Sequence, residues 1–268
     1  MKTLTTILTT ILTAVVLALF SQASLAADGD ELIPPVIKVG TMGTFEPFTY
    51  VDENNVLTGF DIEVLKEIQR RDPVLNFEFI ASPWDTLFPG LDADKFQMIA
   101  NQIAATEERK KKYVLTDNSY FVAVNGVIVR SDREDIKDIY DLQGKKIGMT
   151  IGDNRALTLE NWNKEHDNIL EITYFENDLP GILVDIINGR LDATVNDPLV
   201  AAEKARRQGL TIKSVGERIT QTPVRYIFKS DPVGVALRDR IDRNLKQLID
   251  EGYLTKYSIE LFGVDYSK

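Results

Sequence analysis

The chain contains no cysteine and only one histidine, His166, among its 268 residues. The first absence excludes a disulfide framework and a thiol nucleophile, so stability has to come from a packed core. The second leaves one imidazole for any proton-transfer or metal-binding role. Cationic residues are also in deficit: 31 lysines and arginines face 41 aspartates and glutamates, a formal net charge of −10. A nucleic-acid-binding protein needs a basic face, so this balance argues against nucleic acid as a partner. There is no Gly-x-Ser-x-Gly motif, no cluster of metal ligands, no low-complexity segment and no repeat of 20–50 residues. No cofactor is expected.

What is present begins with an export signal. Lys2 supplies a positive start, an apolar run of about 14 residues extends from Ile7 to Phe20, and Ser24-Leu25-Ala26 closes it with small residues. This is the layout of a secretory signal peptide over residues 1–26, with cleavage expected after Ala26. An uncleaved membrane anchor is the competing reading. It is disfavoured because a spanning helix needs roughly 20 apolar residues. The mature chain of about 240 residues would suffice for one large domain or two small ones. It has no cysteine to carry a lipid anchor, so a soluble, monomeric periplasmic protein is expected.

Apolar runs alternate with helical patterns. Strands are expected at 36–40, 76–80 and 98–103, and helices at 61–70 and after Trp84. The alternation then restarts, with strands at 122–129, 146–150, 171–175, 193–195 and 225–228. The intervening helices are expected at 155–165, around Leu183–Ile187, at 199–207 and at 237–249. Such βαβ alternation implies mostly parallel sheets covered by helices. Two α/β units are the natural parse. No Pro/Gly/Ser-rich linker separates them, so short strands are expected to cross between them.

Two segments carry chemistry. In Ala100 to Lys110, Thr106 is a plausible N-cap, and Arg109 falls in the first turn of the helix that follows a strand. Open α/β sheets bind ligands at that edge, and a guanidinium there can grip a carboxylate with two parallel hydrogen bonds. Lys110, Lys111 and Lys112 read as a solvated face. In Gly189 to Pro198, a strand ending in Asn-Asp-Pro exposes Asp197 at the sheet edge. There it can pair with an ammonium group, cap the following helix, or do both.

Seven segments then bring a family into view. They are Glu46–Tyr50, Leu57–Val64, Trp84–Leu91, Thr106–Lys111, Asp141–Gly148, Gly189–Ala193 and Asp250–Gly263. In this order, over about 220 residues, the chain resembles the periplasmic amino-acid-binding proteins of ABC importers. The resemblance implies an α/β, type II periplasmic-binding-protein fold of two lobes, each a mostly parallel sheet flanked by helices. Lobe one would hold residues 36–120 and 225–268, and lobe two residues 121–224. The crossings would lie near Ser119–Ala123 and Gln221–Arg225.

The resemblance also implies roles. Arg109 would grip the ligand α-carboxylate and Asp197 its α-ammonium. Phe45 and Trp84 would wall the side chain. Gly152, Asp153 and Asn154 would offer backbone N–H groups to the carboxylate, with Thr150 nearby. Ala104 stands where the family often has Thr or Ser. Asn101-Gln102 resembles the branch that binds cystine and related sulfur amino acids. Met42, Thr150 and Asn196 carry no charge, which implies a neutral side chain on the ligand. The implied partner is an inner-membrane ABC permease.

Two other readings fit the same pattern. An exported dehydratase acting on cyclohexadienyl acids could use the same fold, since fold does not fix function. It would need a positioned acid or base, and His166 lies in the polar stretch Lys164–Asp167. A sensory module would ordinarily be fused to a transmembrane helix and a signalling domain. Neither follows before Lys268.

Overall fold

The computed structural model describes residues 31–268 except 152, 177 and 178, and nothing is said here of the side chain of Asn154. The expected signal peptide over 1–26, with cleavage after Ala26, lies outside the described residues, as does Gly152. Among the described residues, no helix is long and apolar enough to cross a membrane.

The chain opens with β1 (Ile37–Thr41) and a small antiparallel sheet of β2 (Thr44–Phe45), β3 (Thr49–Val51) and β4 (Leu57–Thr58). Then come α1 (Phe60–Arg71), β5 (Phe77–Ala81), α2 (Trp84–Asp92), β6 (Met98–Ala104), α3 (Glu107–Lys112), β7 (Val114–Leu115) and β8 (Phe121–Arg130). A 3₁₀ turn at Tyr140–Leu142 leads to β9 (Lys146–Thr150), α4 (Asn154–Glu165), β10 (Glu171–Phe175), α5 (Leu179–Ile187), β11 (Ala193–Asn196) and α6 (Pro198–Arg207). The chain closes with β12 (Ile212–Phe228), α7 (Pro232–Asp250) and α8 (Tyr253–Phe262).

The strand order β10-β9-β11-β8-β12-β6-β1-β5 makes one continuous sheet, with β7 pairing beside β12. Strand β1 runs parallel to β5 and β6, and β9 runs parallel to β10 and β11. The two middle strands, β8 and β12, are antiparallel to their neighbours. Each half therefore threads its strands in the same way: the first in the centre, the second to one side, the third to the other. That reversal creates a switch point between β1 and β6 and another between β9 and β11. Ligands of open α/β sheets bind beyond the carboxyl ends of strands at such points.

The segments expected to cross between units belong to long strands rather than short ones. Strand β8 has 10 residues and β12 has 17. Phe121 pairs with Val224 and Ala123 with Thr222, and the register slips between Val215 and Thr220. Only the last four residues of β12 were expected as strand. Its earlier part carries Lys213, Gly216, Glu217, Arg218 and Pro223, a composition that reads as loop, and its pairing with β8 overrides that local preference.

The helices follow their apolar spacing. Ile62, Leu65 and Ile68 of α1 are buried, as are Leu237, Ile241, Leu245 and Leu248 of α7. Each such side chain contributes roughly 1.5–3 kcal/mol on burial. Gly59 starts α1 at φ 115°, and a Cβ there would lie 2.3 Å from the Phe48 carbonyl oxygen, so only glycine fits. Helix α8, which the periodicity did not single out, stacks Tyr257 on Phe60 at 5.3 Å between ring centroids. These apolar clusters lie under the helices, and Val124 and Val224 of the larger one also reach the cavity at the middle of the sheet.

Candidate ligand-binding site

A cavity of about 460 Å³ lies at the carboxyl ends of the strands and is lined from both halves of the sheet. Of the residues expected from sequence, Phe45, Trp84, Gln102, Ala104, Arg109 and Asp197 line it, together with Met42 and Asp153. Thr150, the last residue of β9, does not line the cavity. Asn154 is the first residue of α4, and its side chain is outside the described set.

The strand ends explain the positions. Beyond β6, the Thr106 hydroxyl accepts the Arg109 N–H at 3.3 Å, starting α3 as expected. The Arg109 guanidinium donates to the Ala104 carbonyl at 2.9 Å and lies over the rings of Trp84 and Phe88, at 5.8 and 5.0 Å. Among the described residues, no carboxylate comes within ion-pair distance of it. Burial pushes this guanidinium below the usual arginine range.

Beyond β11, Asp197 is 4% exposed. Its Oδ1 caps α6 by accepting the N–H groups of Leu199 and Val200, at 2.8 and 3.3 Å. Its Oδ2 takes no hydrogen bond from a described residue. Burial pushes this carboxyl up, and the two cap donors and the nearby charge of Arg155 oppose the shift. The capping reading therefore holds, with one carboxylate oxygen left over.

Gln102 sits at φ 51°, a left-handed backbone that its side chain does not favour. Buried Asp61 holds it there. Asp61 accepts the Gln102 backbone N–H at 2.8 Å, the Gln102 amide Nε2 at 2.6 Å and the Tyr120 hydroxyl at 2.8 Å. The Tyr226 hydroxyl donates to the Asp61 carbonyl at 2.9 Å, and the two tyrosine rings stack at 4.1 Å. With no cation beside it, the Asp61 carboxyl is pushed up to about 7 by burial, against its three hydrogen bonds. Sequence reading took Asp61 only as the start of a helix. The available signal was an acid on the face of α1 that also carries Leu65 and Ile68.

Arg155 is a second cavity-lining cation that sequence reading missed. At the start of a helix, an arginine looks like any solvated one. Its environment is set by Asp153 and by Asn125 on β8, thirty positions away in sequence. Asp153 itself caps α4, accepting the Arg155 backbone N–H at 2.8 Å. His166 lies outside the cavity, stacked on Trp162 at 3.9 Å. Among the described residues, no group of three His, Asp or Glu side chains is arranged to hold a metal ion.

The arrangement offers an uncompensated cation and a buried carboxylate from opposite halves of the sheet, with aromatic rings beside them. That suits a small dipolar molecule. The sequence pattern of the bacterial extracellular solute-binding proteins, family 3, matches residues 37–264. The L-cystine-binding protein TcyK of Bacillus subtilis is 30% identical over 232 residues, 87% of this chain and 85% of that one. The probable amino-acid-binding protein YxeM of the same organism is 33% identical, covering 94% of each. Among solved structures, the probable amino-acid ABC transporter extracellular-binding protein ytmK of B. subtilis superposes with a TM-score of 0.81 at 29% identity. That match covers 87% of this chain and all of the other.

Proposed function

The chain belongs to the bacterial extracellular solute-binding proteins, family 3, and from that premise we propose that it captures a free neutral amino acid, L-cystine above others, for an ABC importer. Its α/β architecture is the type II fold of periplasmic binding proteins, and it binds solute. The observation that carries the ligand class is the pairing of Arg109 with Asp197 across one cavity.

A free amino acid is a zwitterion at neutral pH, and burying either charge unpaired costs several kcal/mol. Arg109 has no carboxylate partner among the described residues, and Asp197 keeps one oxygen free of hydrogen bonds to them. The α-carboxylate goes to Arg109 and the α-ammonium to Asp197, while Phe45 and Trp84 flank the side chain. The names of several relatives support L-cystine, and the uncharged wall position Met42 supports a ligand without net charge on its side chain. With no cysteine in the chain, a disulfide ligand is held without thiol exchange.

In this reading, residues 36–120 and 225–268 form one lobe and 121–224 the other, and the adjacent strands β8 and β12 are the hinge. Ligand then favours the closed form, because only that form pairs both of its charges. The protein is exported by residues 1–26, works in the periplasm as a monomer, and delivers its ligand to an inner-membrane permease without chemical turnover.

A thermal-shift and calorimetry screen tests this. Ligand at one hundred times its Kd stabilises the folded state by about 2.7 kcal/mol. Hits are expected among cystine, cysteine, glutamine and similar neutral amino acids, and none among their decarboxylated or N-acetylated forms. A sugar or dicarboxylate as the best hit, or steady consumption of a hit compound, refutes the reading.

A further inference from the structure

The cavity holds a second pair of opposite charges that the single-headed amino-acid reading leaves idle. Arg155 Nη1 lies 3.3 and 3.2 Å from the two carboxylate oxygens of Asp153, and its Nε donates to Asn125 Oδ1 at 3.1 Å. Asn125 in turn donates from Nδ2 to the Thr220 hydroxyl at 2.8 Å. All four residues line the same cavity as Arg109 and Asp197. The Arg155 and Asp153 side chains keep 29% and 22% of their surface exposed, so they are only partly desolvated. Nη2 of Arg155 makes no hydrogen bond to a described residue.

Two facts limit what this pair can accept. First, Asp153 already supplies a carboxylate to the N-terminus of α4, so an incoming carboxylate has to be met by the Arg155 guanidinium rather than by the helix end. Second, the pair is neutral as a whole. A lysine-like or glutamate-like ligand end would satisfy one member and repel the other. A zwitterionic end satisfies both, its carboxylate against Arg155 and its ammonium against Asp153, in an alternating square of four charges.

Resting on the assignment of the first head to Arg109 and Asp197, we infer that Arg155 and Asp153 receive a second α-amino-acid head, so that the ligand class is a bis-amino acid with a neutral linker. L-Cystine is such a molecule. Arg155 is then the residue that separates two-headed from one-headed ligands, and Asn125 holds its guanidinium in place.

Calorimetry on the mature chain with two probes, L-cystine and S-methyl-L-cysteine, tests this. The wild type is expected to bind L-cystine at least tenfold more tightly. Arg155→Gln is expected to weaken L-cystine by about 10- to 100-fold while leaving S-methyl-L-cysteine within threefold. Asp153→Asn keeps a cap acceptor and is expected to reproduce the pattern, which covers the case of Arg155→Gln failing to fold. Equal losses for both probes, or no loss for either, overturn the inference. Arg109→Ala is run in parallel and should weaken both probes alike. If it weakens neither, or if the wild type binds neither probe, the first-head assignment falls and takes this one with it. A wild type that binds both probes through Arg109 but ignores Arg155 sinks the second head alone.

Discussion

Replacing Arg109 by methionine separates what the residue does for binding from what it does for folding. Methionine retains most of the apolar stem that packs between Trp84 and Phe88. The unliganded protein loses one hydrogen bond from a charged donor to the Ala104 carbonyl, worth roughly 1.5–3 kcal/mol. It also loses two ring contacts at 5.0 and 5.8 Å, worth about 0.5–1 kcal/mol each. Against these stands the cost of holding a half-buried guanidinium with no carboxylate beside it, which solvent screening reduces to roughly 1–3 kcal/mol. The terms offset to within about 1–2 kcal/mol. In a chain of this size 1 kcal/mol moves the melting temperature by about 2–4 °C, so the unliganded variant is expected to melt within about 8 °C of wild type. Binding should behave quite differently. Truncating one partner of a buried charge pair costs roughly 2–5 kcal/mol, or about 30-fold to several thousandfold in Kd. Scanning fluorimetry without ligand and calorimetry with L-cystine measure the two quantities on one preparation. A melting temperature lowered by more than about 8 °C with Kd within threefold of wild type would make Arg109 a structural residue and refute the site.

Three further outcomes are expected. Asp197→Asn keeps a good cap on α6, so it should lose affinity for the ammonium end tenfold or more in calorimetry while melting normally; unchanged affinity counts against its role. Ligand should change tryptophan emission through Trp84, which lines the cavity at 43% exposure, and not through Trp162, which stacks on His166; a full signal in Trp84→Phe refutes this. Asp61 has a folded value of about 7, above that of the unfolded carboxyl, so its folded state holds the proton more tightly. The stability this brings is complete below the unfolded value and lost as pH rises through about 7. Asp61→Asn should therefore gain on wild type as pH rises from about 4 to 8, read as the difference between their melting temperatures, and a difference flat in pH excludes the raised value.

How much was legible in the sequence depended on where the determining contact lies. Helix α7 was legible because its apolar positions repeat along its own length, and α3 because Thr106 announces its start. The strands β1, β6, β9 and β11 showed as short apolar runs. The 17 residues of β12 did not, because most are half-exposed and polar and their state is decided by pairing with β8. The small sheet of β2, β3 and β4 escaped because strands of two or three residues carry no periodicity. In the cavity, Arg109 and Asp197 were visible as candidates since each opens the helix that follows a strand. Arg155 was not, because its partner Asn125 sits on another element, and the part Asp61 plays under Gln102 depends on the Tyr120 and Tyr226 hydroxyls converging from afar.

Because both halves of the sheet thread their strands alike, Arg109 and Asp197 both lie at the start of the helix that follows the third strand of their half, Asp197 as the cap and Arg109 three residues past its own cap, Thr106. Opposite charges thus stand at corresponding helix starts in a repeated frame. If the proposed site holds, exchanging a handful of residues at these two helix starts is the shortest route to a different cargo. Cargo preference and foldedness are not fully separate, since Asp197 also caps α6 and Val124 and Val224 belong to both the core and the cavity wall.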